Sequence, residues 1–180
     1  GFSLQRDGPL DMRMDRRQQT TADDLVNHAS RDYLAEIIER YGEEPRSQAY
    51  KIATAIVTAR PVHTTLQLAE VIRNSRRGQK TKIHPATRTF QAIRIALNDE
   101  LGQLERLLKV LPTLLETGGR VAFISFHSLE DRLVKRFFKE QAEAGYEAEL
   151  SLLGKAVQGK LTDVTNPRAR SATLRAAVKK

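Results

Sequence analysis

Between residues 20 and 75, apolar side chains return every three or four positions in four short runs, the spacing of helices with one buried face. Thr21 is placed as the N-cap of the first, with Asp23 and Asp24 in its opening turn and Leu25, Val26 and Ala29 facing inward. Ser30 caps the second, where Leu34, Ile37, Ile38 and Tyr41 line one face before Gly42 stops it. Pro45 opens the third, with Ala49, Ile52, Ala53, Ile56 and Val57 on one face; Thr64 or Thr65 caps the fourth, with Leu68, Ala69 and Ile72 inward. From Pro85 the pattern predicts one long helix through Phe90, Ile93, Leu97, Leu101, Leu104, Leu108 and Leu111, carrying Gly102 and meeting Pro112 near its end. Val121–Phe126 is almost solidly apolar, on both faces, which predicts a strand covered on both sides between parallel neighbours. Ser128, with Asp131 three positions on, reads as the cap of a following helix that packs back through Leu133 and Phe137, with Val134 and Phe138 beside them. Residues 160–165 and 171–178 read as strands joined by Asn166-Pro167. The second alternates Ala172, Leu174, Ala176 and Val178, as an edge or hairpin strand does. Residues 1–19 carry no sustained period and read as a loop.

One central strand and two weaker ones are too little sheet to bury Val121–Phe126. The pattern therefore reads as the later half of an α/β fold whose first half is missing, and an opening Gly1 in place of Met agrees. Composition narrows the chemistry. With 180 residues, 40% hydrophobic, 6% aromatic and no Trp, a core can form but must be mostly Leu, Ile, Val and Ala. Thirty Lys and Arg against 22 acids give +8, a field that suits nucleic acid or an anionic surface, or else is a basic surface without a role. The absence of Cys excludes disulfides and thiolate metal sites and fits a cytoplasmic location. No apolar run is long enough to span a bilayer, and no signal peptide opens the chain.

Four stretches carry candidate chemistry. The apolar strand ends in Ser125, His127 and Ser128 as a helix begins, and in open α/β sheets ligands bind beyond strand C-termini. Capping is the competing account. "RDGPLDMRMD" (6–15) concentrates Asp7, Asp11 and Asp15 beside Arg6 and Arg13; the carboxylates either accept from an amino group or pair with the arginines. Arg73–Arg94 holds seven basic residues, among them Arg76, Arg77, Lys80, Lys82 and Arg88, and no acid. With His84 it leads to a helix N-terminus, which offers N–H groups to phosphate. "NPRARSATLR" (166–175) offers Arg168 and Arg170 for phosphate, or is a solvated basic tail. "FISFHSL" lacks the G-x-S-x-G turn of a hydrolase, and "HSLED" is not a zinc motif.

In order along the chain, "GFSLQRDGPLDMRMD", "YGEE", "KIHPATRTFQAIRIALNDEL", "GGRVAFISFHSLEDRLVKRFF" and "NPRARSATLR" resemble the bacterial cytosine-N4 methyltransferases of 16S ribosomal RNA. The likeness covers nearly the whole chain and is loosest over 143–165. It implies an α/β, Rossmann-like class I methyltransferase domain, present in part, with an inserted all-helical domain that helps to recognise RNA. Residues 1–17 and 82–180 correspond to the later part of the catalytic domain, and 18–81 to the insertion. It further implies methyl transfer from S-adenosylmethionine to the N4 amine of a decoding-centre cytosine, with the small ribosomal subunit as partner, no membrane and no metal. Asp7, Asp11, Ser125, His127 and Ser128 become candidates for the base pocket. Arg13, Arg76, Arg77, Lys80, Lys82, His84, Arg88, Arg168 and Arg170 become candidates for the RNA backbone. The family's glycine-rich cofactor loop does not occur here, so cofactor contacts are expected before Gly1, and these residues alone are expected to be inactive. Two other readings stay open: a non-catalytic RNA-binding module, and an assembly protein completed by a partner chain. A homodimer is also left open.

Overall fold

In the computed structural model, residues 1–76, 78, 83–159 and 167–180 are described, with the backbone alone at Pro167 and Arg168. They form two units, Gly1–Glu100 and Leu101–Lys180.

The first unit contains helices α1 (Ala22–His28), α2 (Arg31–Gly42), α3 (Arg46–Thr58), α4 (Thr65–Ser75) and α5 (Thr87–Asn98). The starts of α1 to α4 are those the sequence predicts, while α5 begins two residues after Pro85. Thr21 and Asp24 form a reciprocal capping box, Ser30 accepts from the Tyr33 N–H, and Thr64, rather than Thr65, forms a second box with Gln67. Each such cap contributes about 1 kcal/mol by satisfying an otherwise orphaned N–H. Val26, Leu34, Ile38, Ile52, Ile56, Leu68, Ile72 and Ile93 are fully buried in a single aliphatic core. The N-terminal segment belongs to this core too. Leu10 and Met12 are each 1% exposed, the Leu10 N–H donates to the His63 carbonyl, and the Thr65 N–H donates to that of Gly8. The contacts thus group 1–17 and 83–100 with the four helices, a different division from the 18–81 boundaries drawn on the sequence.

The long helix predicted from Pro85 is two helices. Asp99 adopts the left-handed conformation (φ 48°) and ends α5; α6 (Glu100–Leu114) starts directly after it. The break is stabilised locally. The Asn98 amide donates to the carbonyls of Met12 and Arg94 and accepts from the Met14 N–H, while Arg94 pairs with Glu100 at 2.7 Å. Asp tolerates this backbone region better than most residues. An apolar period cannot reveal such a break, because the spacing continues through it.

In the second unit, α6 and α7 (Ser128–Glu143) accompany a sheet ordered β1 (Arg120–Ser125), β4 (Thr173–Lys179), β2 (Leu150–Leu152), with β3 (Val157–Gln158) also on β4. Every pairing is antiparallel, with Val121 opposite Ala177 and Phe123 opposite Arg175. Strand β1 has no parallel neighbour among the described residues, and its faces differ. Val121 and Phe123 pack with Leu108, Leu111, Val134, Phe138, Leu150 and Ala177, whereas Ile124 is 61% exposed. One expectation is corrected: strand β4, read as an edge or hairpin strand, is central among the described strands, and Arg175 and Ala177 lie on its inward face. The hairpin partner predicted at 160–165 lies outside the described residues. Among the described residues, no helix is long and apolar enough to cross a membrane.

Gly42 sits where α2 approaches α5. A Cβ there would lie 3.0 Å from the Arg88 carbonyl oxygen and 3.6 Å from the Ala92 Cβ. Gly42→Val should therefore force the helices apart and destabilise the protein by about 1–3 kcal/mol, the usual cost of overpacking. A circular-dichroism melt checks this, and an unchanged midpoint would contradict the packing described.

Candidate functional site

The candidate residues of the first unit are mostly engaged within it. Asp7 stands at the start of α4, where Oδ1 accepts from the Leu66 N–H at 3.2 Å and from its own neighbour Gly8 at 3.0 Å. Hydrogen bonds from the Thr64 side chain and then the Leu66 backbone hold its carboxyl below the usual range. Asp11 takes a two-pronged ion pair from Arg13, at 2.7 and 2.9 Å, and accepts from the Arg13 N–H at 3.1 Å. The Arg13 hydrogen bond is the main reason its pKa falls to about 2. Arg13 in turn donates to the Gln18 carbonyl at 2.7 Å. The loop at 6–15 is therefore largely self-paired, the second of the two arrangements the sequence allowed.

Arg76 is not presented to solvent. Its side chain is 10% exposed and forks onto Glu44, itself 1% exposed, at 2.7 and 3.2 Å. Arg88, 48% exposed, comes within 3.9 Å of the same carboxylate. His84 shapes the entry to α5, where its Nδ1 accepts from the Ala86 N–H at 3.2 Å and its carbonyl from Thr87 at 2.9 Å. Part of the N-terminal N–H set that was expected to face phosphate is thus used internally. The structure brings Arg76 and Arg88 together at Glu44, a residue quoted in "YGEE" but given no role from sequence. Its signal was a second acid just past a helix stop, within reach of an acid-free basic segment. Arg77, Lys80 and Lys82 lie outside the described residues.

In the second unit, Ser125, His127 and Ser128 follow one another out of β1. Ser125 is 4% exposed and opposite Thr173. His127, not Ser128, is the N-cap of α7: its Nδ1 accepts from the Glu130 N–H at 3.4 Å, and Nε2 lies 3.4 Å from Glu130 Oε1. Glu130 in turn accepts from the N–H of Phe126, the residue before the cap, at 3.1 Å. Asp131, expected as the partner of the cap, instead takes a fork from Arg175 at 2.8 and 3.0 Å and ties α7 to β4. N-caps are usually read from Ser, Thr, Asp or Asn, which is why the sequence points to Ser128 rather than His127. Arg170 lies in the 3-10 turn Pro167–Ser171 and is exposed; the Arg168 side chain lies outside the described residues.

Class I methyltransferases hold their cofactor in the crevice beyond the C-terminal ends of parallel strands. Among the described residues all strand pairs are antiparallel. These residues do not fit a cofactor cradle, and no cofactor contact is assigned to them.

Because Asp11 titrates near 2 when folded and near 3.8 when not, its pair stabilises the fold above about pH 4. That stability is lost as pH falls from about 4 towards 2. Asp11→Asn should lower the melting temperature at neutral pH and make the acid-induced decline over that window shallower. Melts at stepped pH would show this, and a slope equal to the parent's would exclude the assignment.

Residues 1–180 match the MraW methylase family. The ribosomal RNA small subunit methyltransferase H of Acidobacterium capsulatum is 54% identical over 181 residues, which cover 100% of this chain and 60% of that protein. The proteins of the same name from Thermosipho africanus and Solibacter usitatus are 50% and 49% identical over 180 residues, covering 98% of this chain and 60% of each. The chain spans about 60% of the length of these curated relatives. With the match running from its first residue to its last, the chain belongs to the MraW methylase family.

Proposed function

We propose that the full-length protein transfers a methyl group from S-adenosylmethionine to the N4 amine of a cytosine in the decoding centre of 16S ribosomal RNA. The observation that carries this reading is the end-to-end family match, together with relatives near 50% identity that are named small-subunit rRNA methyltransferases. The order of five sequence motifs along the chain supports the finer statement about cytosine N4.

An exocyclic amine is a weak nucleophile, since its lone pair is delocalised into the ring. A site accelerates its reaction by aligning it and by accepting its hydrogens. The base must first leave its stack to reach a pocket. In this reading Ser125, His127 and Ser128 line that pocket at the exit of β1, where the His127 ring is fixed by its cap to α7. Asp7 and Asp11 stay ionised on the 6–15 loop but are engaged by the start of α4 and by Arg13, so they shape the loop rather than accept from the amine. His84, Arg88 and Arg170 contact the RNA backbone, joined by Arg77, Lys80, Lys82 and Arg168 from outside the described residues. Arg13 and Arg76 hold neighbouring protein groups rather than phosphate. The helices within 18–81 serve RNA recognition.

Incubation of the full-length protein with methyl-labelled S-adenosylmethionine and unmodified small subunits should place the label in N4-methylcytidine after nuclease digestion. Label in another nucleoside, or none, would overturn the proposal. Asn is a strong N-cap, so His127→Asn should keep the melting temperature within a few degrees yet lower turnover about tenfold or more if the ring orients the base. Equal turnover would leave His127 with capping alone. Arg170→Gln should weaken RNA binding and lower its salt slope by about one phosphate contact.

A further inference from the structure

The four residues Tyr41–Glu44 all face the same neighbour. The Tyr41 carbonyl accepts from the Gln91 side chain at 3.2 Å. Gly42 lies against the Arg88 backbone, closer than a side chain would allow without adjustment. Glu43 takes a left-handed conformation (φ 51°), and its carbonyl accepts from Arg88 Nη1 at 3.3 Å. Glu44 receives the fork of Arg76, whose Nη1 also donates to the Pro85 carbonyl at 3.2 Å. The end of α4 and the start of α5 are thus joined through a single buried carboxylate.

We propose that Tyr41–Glu44 is a clamp in which Glu44 is a positioning residue for RNA binding, holding Arg88 and the first turn of α5 in the orientation that meets phosphate. This rests on the reading of the protein as an rRNA methyltransferase. A buried ion pair is an inefficient way to gain stability alone, because desolvation offsets the attraction. Its geometry here does something an apolar contact would not. Arg88 is half exposed, lies within 3.9 Å of Glu44, and gives one N–H to Glu43. A guanidinium carries five donors in a rigid fork. One side is held by the clamp while the other remains in solvent. Fixing the group beforehand removes the ordering cost that a free arginine meets on contact.

The test is filter binding of in vitro transcribed 16S rRNA to the full-length protein across a salt series, with a thermal melt of every variant. Glu44→Gln removes a negative charge from a protein that binds a polyanion. Electrostatics alone would then tighten binding. The clamp predicts the opposite: about three- to tenfold weaker binding, with a salt slope reduced by about one phosphate contact, in protein still folded at the assay temperature. Binding as tight as the parent's, with an unchanged slope, overturns the clamp. Should Glu44→Gln not fold, Arg76→Lys keeps the charge but loses the fork; it should weaken binding in the same direction, and parental affinity would overturn the proposal. The parent protein separates the two levels of inference. If its own binding is insensitive to salt, the RNA-contact reading falls and the clamp falls with it. If the parent's binding is salt-dependent and only the Glu44 and Arg76 variants behave as the parent does, the clamp alone falls.

Discussion

Taking a carboxylate out of water costs several kcal/mol even after the surroundings relax, and the Glu44 side chain is 1% exposed. Such a charge dictates what surrounds it. Arg76 must turn inward from the end of α4, and the chain after α2 must turn sharply enough to aim Glu44 there, which the left-handed Glu43 does. The same turn needs α2 to end hard against α5, which Gly42 allows. Helix stop, backbone conformation and ion pair are one arrangement, and the entry to α5 with His84 and Arg88 takes its position from it.

The second unit depends in the same way on β4, which pairs with β1, β2 and β3. Its inward side chains are few. Ala177 is fully buried against the α6 and α7 side chains, and Arg175 reaches Asp131 at the start of α7. A small residue lets the helices approach, and a long cation bridges to the acidic first turn of α7, where negative side chains also suit the helix dipole. This leaves Leu174, Ala176 and Val178 on the far face, level with Ile124, Ala122 and Arg120 of β1.

That far face explains why some of this fold was legible in the sequence and some was not. Helices α1 to α4 and their caps could be read because helical period and capping chemistry are local. Strand β1 is located by its apolar run; within these residues one of its faces packs on the helices through Val121 and Phe123, while Ile124 on the other is 61% exposed. For β4, alternation shows that two faces exist without showing which one meets the helices; Arg175 and Ala177 do, and the more apolar Leu174, Ala176 and Val178 lie opposite. The Asp99 break and the His127 cap depend on backbone conformation and side-chain direction, which spacing does not encode. Of the candidate site, Ser125, His127 and Ser128 were found as a group at the end of a strand. The commitments of Arg13, Arg76 and Asp7 depend on partners that only the folded chain identifies.

Those commitments follow a rule that separates the basic residues by their neighbours. Where the sequence places Asp two positions before Arg, the pair closes on itself: Arg13 on Asp11 and Arg17 on Asp15, each with both a backbone and a side-chain hydrogen bond. Such a loop carries charge but offers little of it to a partner. The stretch from Arg73 to Arg94 has no acid of its own, so an internal partner must come from elsewhere, and Arg76 finds one 32 residues back in Glu44. Arg88 shares that carboxylate at longer range and stays half exposed. Arg73 pairs with Glu70 and Arg94 with Glu100, so the described basic residues of this segment all take their acidic partners from outside it, and Arg88, at the longest of these distances, keeps the freest guanidinium of the pair at Glu44.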